Sequence, residues 1–175
     1  MTMAGIEPAS IPAGFEPHFR KSPLTDPWEP LYARFTDKSV HMGLRLARPH
    51  TNSRGLIHGG LIAALSDNAM GYSCAQAMGW DKSKSLLTIN LAVDFIGTAR
   101  IGQWLAIETE VIRTGSTICF AQSLIKADDV VIARANGTFR VVPKREAVVP
   151  GREANPEPRD SGFDAAHRPG MTSSS

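Results

Sequence analysis

A single acidic side chain, Asp67, lies in a stretch of small and apolar residues at positions 59–80. No Lys or Arg occurs between Arg54 and Lys82, so nothing close in sequence neutralises this carboxylate. Burying a carboxylate without a partner is costly, and a partly desolvated carboxylate can act as a base or nucleophile toward a carbonyl group. Asp67 is therefore the first candidate for chemistry, with a structural carboxylate bonded to backbone amides as the alternative.

The sequence His58-Gly59-Gly60 opens the same stretch and is the second candidate. Two glycines leave backbone N–H groups unshielded, and the first turn of a helix carries amides without internal partners and a partial positive charge. Such amides can polarise a thioester carbonyl or stabilise an oxyanion. A tight turn with a hydrogen-bonded imidazole is the alternative that so short a pattern leaves open.

The elements that must position these residues are one helix and five strands. Residues 59–80 have no broad polar face, which predicts an interior helix, and the polar residues in its middle disfavour a membrane span. Apolar and polar residues alternate over residues 40–47, which predicts a first strand before the helix. Four further alternating runs, separated by short turns, follow the helix and are simplest as an antiparallel meander.

The sequence predicts which side chains of these four runs face inward. They are Leu87, Ile89, Leu91, Val93 and Phe95 in residues 87–95; Leu105, Ile107 and Val111 in residues 103–113; Ile118, Phe120 and Leu124 in residues 117–126; and Val131, Ala133, Ala135, Phe139 and Val141 in residues 130–142. An open sheet of this size leaves unpaired edges, so a homodimer with a continuous sheet is expected.

Proline positions divide the chain of 175 residues, because residues 50–142 contain none. We predict an N-terminal extension at 1–38, disordered to residue 14 and then packing as a short helix or cover; a folded domain at 39–142; and a disordered Pro-rich tail at 143–175. A formal net charge of +2 gives no argument for nucleic acid, and no secretion signal opens the chain, which predicts a cytoplasmic protein.

The two cysteines and five histidines show no metal-ligand or disulfide spacing, so we expect free buried thiols, no metal and no resident cofactor.

The pattern Asn52-x-x-Gly55-x-x-His58-Gly59-Gly60, followed by Asp67, resembles the hotdog-fold acyl-CoA thioesterases of the PaaI-like group. The resemblance extends over roughly residues 40–142. It implies an α+β hotdog fold, in which an antiparallel sheet wraps a central helix, and dimers that often pair into tetramers. It also implies active sites shared between two subunits.

The resemblance also implies roles for single residues. Asp67 is the catalytic carboxylate, acting as general base or nucleophile, and the Gly59 amide polarises the thioester carbonyl with His58 beside it. Asn52 orients the carbonyl or the attacking water, and Thr88 lies near the attacking species. Coenzyme A, as part of the substrate, is expected to contact Gly60, Asn90, Phe95, Arg113, Thr114, Gly115, Ser116, Thr117, Ile118 and Arg140.

The function expected from these residues is hydrolysis of a small or medium acyl-CoA thioester, with aryl groups also open. The main alternative is a hotdog protein that binds acyl-CoA without hydrolysing it. A structural or interaction module, in which Asp67 is a satisfied core carboxylate, is a further alternative. A hotdog hydratase is disfavoured because His58 and Asp67 do not resemble its acid–base pair.

Overall fold

Seven antiparallel strands form one sheet beside a single long helix in the computed structural model, which describes residues 10–144. The strands are β1 (Glu16–Pro17), β2 (Tyr32–Phe35), β3 (Val40–Arg45), β4 (Lys84–Phe95), β5 (Trp104–Thr114), β6 (Ile118–Ala127) and β7 (Val130–Pro143), and helix α1 covers Gly59–Ala77. One-turn 3-10 helices lie at Asp26–Trp28 and Arg48–His50. The α+β hotdog architecture predicted from the sequence is confirmed.

Helix α1 buries one face against the sheet. The buried residues recur in pairs four positions apart: Leu61 and Ile62, Leu65 and Ser66, Ala69 and Met70, Ser73 and Cys74. The opposite face, which includes Ala64, Asp67 and Gly71, is only half-buried, so the described chain does not enclose the helix as the sequence predicted. The helix also ends before Trp80, because Gly79 and Trp80 adopt positive φ angles of 71° and 53°, which stop a helix.

The strand order corrects the predicted meander. Strands β5, β6 and β7 follow one another as expected, but β4 pairs with β7 and not with β5, giving the order β1-β2-β3-β5-β6-β7-β4. The reason is geometric: β3 and β5 pair directly, so β4 crosses to the far side of the sheet. Strand β4 is therefore an edge strand, with no partner on its outer edge among the described residues.

The inward face predicted for β6 is wrong. Ile118, Phe120 and Leu124 point outward and are 38%, 43% and 46% exposed. The inward positions hold mainly small side chains, Cys119, Ala121, Ser123, Ile125 and Ala127. Small residues let the helix approach the sheet closely, and both faces of this strand carry apolar groups, so alternation alone could not choose between them.

A bulge at Ile89 corrects the face assigned to the first half of β4. The register with β7 shifts between Thr88 and Asn90. As a result, even-numbered side chains face the helix before Ile89, and odd-numbered side chains face it after Ile89. Thr88 pairs with the buried Phe139 and faces the helix, whereas Leu87 and Ile89 are 54% and 57% exposed. After the bulge Leu91 and Val93 face the core, as predicted. Phe95 was also predicted to face inward, but it lies at the end of the strand beyond the core and is 56% exposed.

Residues 10–38 join the sheet and form no α-helix. Strand β2 pairs with β3, β1 pairs with β2, and Phe15 and Leu31 are buried. Phe19 contacts Tyr72 of the helix, with 5.2 Å between ring centroids. Of the predicted disordered ends, residues 1–9 and 145–175 lie outside the described residues. Residues 10–14 are described and lead into β1, and Pro143 is the last residue of β7, so the folded part extends slightly beyond the predicted boundaries.

No helix among the described residues combines the length and apolarity that crossing a membrane requires.

Candidate active site

Asp67 and Thr88 meet across the interface between helix and sheet. The Thr88 hydroxyl donates a hydrogen bond to Asp67 Oδ1 at 2.7 Å. The bulge at Ile89 makes this contact possible, because it turns Thr88 toward the helix. Within residues 10–144 no cation forms an ion pair with Asp67. The carboxylate is thus held by one neutral donor and keeps Oδ2 for another ligand.

An open cleft of about 520 Å³ lies beside this pair. Asp67, Asn68, Gly71, Tyr72, Ala75, Met78, Trp80, Asp81 and Lys82 line it from the helix and the loop that follows; Lys84, Ser85, Leu86, Thr88, Phe139 and Lys144 line it from the sheet; and Arg20 comes from the N-terminal segment. Asp67 therefore faces a cavity and is not sealed inside the core.

The start of α1 has one occupied amide and one without a partner. His58 is the N-cap, and its Nδ1 accepts a hydrogen bond from the Gly60 N–H at 2.9 Å. The Gly60 amide is therefore already engaged, whereas the Gly59 N–H has no acceptor in the part of the chain that the structure describes. Gly59 also lies against the ring of Phe95. The polarising donor expected at Gly59 is available.

Replacing His58 tests its capping role. We expect His58→Ala to lower the free energy of unfolding by about 1 kcal/mol, because the Gly60 amide loses its acceptor. His58→Asn keeps an acceptor at the cap and should cost less than half as much. Urea denaturation measures both values, and equal losses in the two variants would contradict the capping role.

The loop before the helix is tied down by Asn52 and His50. Asn52 Oδ1 accepts hydrogen bonds from the backbone N–H groups of Arg54 and Leu56, at 2.9 and 3.3 Å, so its amide NH₂ points away from the loop and can donate to a ligand. Gly55 turns the chain with a φ of +70°, which suits glycine. His50 is buried between the Ala47 N–H and the Trp28 carbonyl, and burial lowers its pKa.

The predicted catalytic residues form two separate groups within one chain. Asp67 and Thr88 form the first group. His58 and Gly59 form the second at the start of the helix, and Asn52 lies in the loop that precedes it. Eight residues of helix separate Gly59 from Asp67, which is about 12 Å along the axis. Phe95, which lies against Gly59, is seven residues from Thr88 along β4, or about 23 Å. One chain alone therefore does not bring the Gly59 amide to the Asp67 carboxylate.

Most residues expected to contact coenzyme A form a third group at one end of the sheet. Arg113 and Thr114 end β5, residues 115–117 form the turn, and Ile118 begins β6. Arg140 pairs with Ile118, and the Val141 N–H donates to the Thr117 carbonyl. Asn90 pairs with the outward-facing Thr138 on the outer face, and Phe95 lies at the opposite end of β4, so neither joins this group.

Sequence reasoning missed the walls of the cleft. Tyr72, Trp80 and Phe139 provide aromatic surface, and Arg20, Lys82, Lys84 and Lys144 provide positive charge. Lys82 and Lys84, just before and at the start of the strand that carries Thr88, could have indicated this positive charge from the sequence. Arg20 could not be placed, because nothing in the sequence joins the N-terminal segment to the helix.

No three His, Cys, Asp or Glu side chains within residues 10–144 cluster closely enough to hold a metal ion. The absence of a metal or resident cofactor stays a prediction.

Comparison with known proteins identifies the family. A profile described as the thioesterase superfamily matches residues 54–133. A Pseudomonas aeruginosa protein that is named as an esterase is 35% identical over 133 residues, which are 75% of this chain and 98% of that protein. Mouse acyl-coenzyme A thioesterase 13 is 27% identical over 78 residues, covering 45% of this chain and 54% of the mouse protein. The chain belongs to the thioesterase superfamily.

It is a thioester hydrolase with a hotdog fold, and solved structures agree on that fold. A Streptococcus pneumoniae thioesterase protein crystallised with coenzyme A matches with a TM-score of 0.60 at 18% identity, over 68% of this chain and 94% of that one. A variant of the phenylacetic acid degradation protein PaaI from Thermus thermophilus also matches with a TM-score of 0.60, at 14% identity over 68% and 98%. The resemblance to PaaI-like proteins stated from the sequence is confirmed at the level of the fold.

Proposed function

We propose that the protein hydrolyses acyl-CoA thioesters of small or medium acyl groups, aryl groups included, with Asp67 as the catalytic carboxylate. One observation carries the proposal: a carboxylate without an ion-pair partner in the described chain faces an open cleft, held through one oxygen by the Thr88 hydroxyl. Its second oxygen is free to meet a water molecule or the thioester carbon.

Hydrolysis from this geometry has two balanced routes. As general base, Asp67 takes a proton from water while the water oxygen attacks the carbonyl carbon; the oxyanion is stabilised by a backbone amide, the C–S bond breaks, and the thiolate of coenzyme A leaves and is protonated. As nucleophile, Asp67 itself attacks, the thiolate leaves, and water hydrolyses the resulting mixed anhydride. The Asn52 amide orients the carbonyl or the water in either route.

The Gly59 amide that this chemistry needs comes from a second copy of the chain. Strand β4 has an unpaired outer edge in the described residues and exposes Leu87 and Ile89 beside it. Antiparallel pairing of two β4 strands about their middle places the copy's Phe95 beside the half of β4 that carries Thr88. Because Gly59 packs on Phe95, the copy's helix start follows it toward Asp67. The functional unit is a homodimer with two shared sites, and two dimers can pair further.

Coenzyme A is the carrier that the relatives' names support, since one structural neighbour contains it and one relative is named for it. In this chain Arg113, Arg140 and the turn at residues 115–117 form an exposed basic end of the sheet. Guanidinium groups suit the phosphates of the nucleotide, because they donate paired charge-assisted hydrogen bonds.

Hybrid dimers test the shared site. An Asp67→Asn chain and a Gly59→Pro chain, coexpressed with different affinity tags and purified through both tags, give heterodimers in which one site has both native groups. We expect each homodimeric variant to be nearly inactive and this heterodimer to recover about half the wild-type rate per dimer. Hydrolysis of octanoyl-CoA, benzoyl-CoA and acetyl-CoA is followed by thiol release.

A reciprocal heterodimer is the control. Wild-type chain paired with an Asp67→Asn/Gly59→Pro chain has no intact shared site, so it should be nearly inactive. The opposite result, half activity in this control and none in the first heterodimer, would place the complete site in one chain. Wild-type protein that binds these thioesters without hydrolysing any of them would favour the non-catalytic binding protein.

A further inference from the structure

The cleft beside Asp67 is elongated and runs along helix α1 and strand β4. Asp67, Gly71, Ala75 and Met78 recur at intervals of three or four residues and so share one face of α1. From Asp67 to Met78 the helix covers about 16 Å, and from Thr88 back to Lys84 the strand covers about 14 Å. Helix and strand therefore both lead from the Asp67–Thr88 pair to the loop that joins them. The cleft runs between a reactive end and that loop.

The middle of the cleft is apolar. Gly71 and Ala75 leave space on the helix side, and Leu86 and Phe139 face them from the sheet. Such a surface suits a methylene chain or a ring. Along these four residues the amide groups of pantetheine or a pyrophosphate would lose hydrogen bonds to water, and the polar groups of Asn68 and Ser85 line the cleft beside them.

The far end carries excess positive charge. Of its four cations, Lys84 is paired with Asp81 at 3.1 Å. Hydrogen bonds from the Ser83 side chain and backbone, and then from Lys84, hold the pKa of Asp81 at about 2, so this carboxylate is ionised and already engaged. Arg20, Lys82 and Lys144 form no ion pair within residues 10–144. We name these three side chains the basic rim.

The N-terminal segment fixes one member of the basic rim. Phe19 lies edge-on to Tyr72 and Trp80, with 5.2 and 5.7 Å between ring centroids. This packing holds Arg20 with its guanidinium 5.6 Å from the centre of the Tyr72 ring. Burial raises the pKa of Tyr72, which lines the cleft beside Arg20. The segment thus adds the positive charge of Arg20 to this end of the cleft.

We propose that this cleft holds the acyl chain and that the basic rim selects acyl thioesters whose far end carries a carboxylate. The substrate class is the medium-length dicarboxylic acyl thioester, in which one carboxyl group is joined to the thiol and the other is free. The inference rests on the proposed function, because it places the thioester at Asp67. An anion at the rim could also be a phosphate of coenzyme A, and the experiment separates the two sources.

The test compares substrates of equal chain length. Values of kcat/KM for suberoyl-CoA and octanoyl-CoA are measured with the wild-type protein and with the double variant Lys82→Gln/Lys144→Gln. Both lysines are exposed, so the fold should tolerate the change. We expect the wild type to prefer suberoyl-CoA and the double variant to lower the suberoyl/octanoyl ratio by about tenfold. Lys38→Gln, an exposed lysine away from the cleft, is the matched control and should leave the ratio unchanged.

Every other outcome either overturns the inference or leads to one further measurement. A ratio near one in the wild type, or a ratio that the double variant does not change, overturns it. If the double variant loses kcat/KM equally on both substrates, the basic rim binds the phosphates of coenzyme A, and the inference is also overturned. If the wild type hydrolyses benzoyl-CoA or acetyl-CoA but neither of these two substrates, the inference is overturned and the proposed function stands. If it hydrolyses none of the four thioesters, the proposed function fails, and calorimetric titration with free suberate and octanoate decides instead. Tighter suberate binding that the double variant weakens supports the inference, and equal affinities overturn it.

Discussion

Asp67→Asn is expected to lower kcat for acyl-CoA hydrolysis by about 10²- to 10⁴-fold. The amide is nearly the same size and can still accept the Thr88 hydrogen bond, so the local structure should persist. It cannot take a proton from water or attack the thioester carbon. Steady-state kinetics on the best acyl-CoA substrate measure the loss, and thermal unfolding checks that the fold is kept.

Two further variants serve as controls for this prediction. Asp37→Asn removes an exposed carboxylate from the turn between β2 and β3 and should leave kcat unchanged. Asp67→Glu keeps the carboxylate but displaces it by one methylene, so it should be damaging without abolishing turnover. If Asp67→Asn retained wild-type activity, the carboxylate would have no part in the mechanism and would be structural only.

Gly59→Pro is expected to lower kcat by about 10²- to 10³-fold, because it deletes the backbone N–H assigned to the thioester carbonyl. Proline suits this position, since Gly59 is the first residue of the helix. The preceding residue, His58, has φ −81° and ψ 127°, the extended conformation that a following proline requires. The backbone of α1 should therefore be preserved, and kcat and KM measured separately show whether the loss lies in turnover.

Gly59→Ala is the matched control for this prediction. Its Cβ, like that of proline, comes within 3.1 Å of the Phe95 ring, which is half-exposed and can shift. Alanine keeps the N–H, so at most about tenfold should be lost through the displaced ring. Similar losses in the alanine and proline variants would mean that space beside Phe95 matters and the amide does not.

The helix and the spans of β3 to β7 could be predicted from the sequence, because each depends on local pattern. Residues 59–77 have the composition of a packed helix, and alternation marks β3 to β7. No cation lies near Asp67 in the sequence, and none forms an ion pair with it within residues 10–144. The residue roles that came from the resemblance stay predictions.

What could not be predicted depends on contacts between distant parts of the chain. Nothing local shows that β4 crosses the sheet to pair with β7. The outward placement of Phe120 depends on how closely the helix approaches β6, since Cys119 and Ala121 are small enough for the close approach and Phe120 is not. The basic rim joins residues more than a hundred positions apart, Arg20 and Lys144, and only the folded chain brings them to one cleft.

Because of the bulge at Ile89, even-numbered side chains of β4 face the helix before this residue and odd-numbered side chains face it afterwards. Deleting Ile89 would restore a regular alternation of side chains along β4. The side chains of one half of the strand would then have to point to the opposite face of the sheet. Either Thr88 would swing to solvent and release Asp67, or Leu91 and Val93 would leave the core. This single-residue deletion would therefore remove either the hydrogen bond that holds the reactive carboxylate or part of the apolar packing that stabilises the fold.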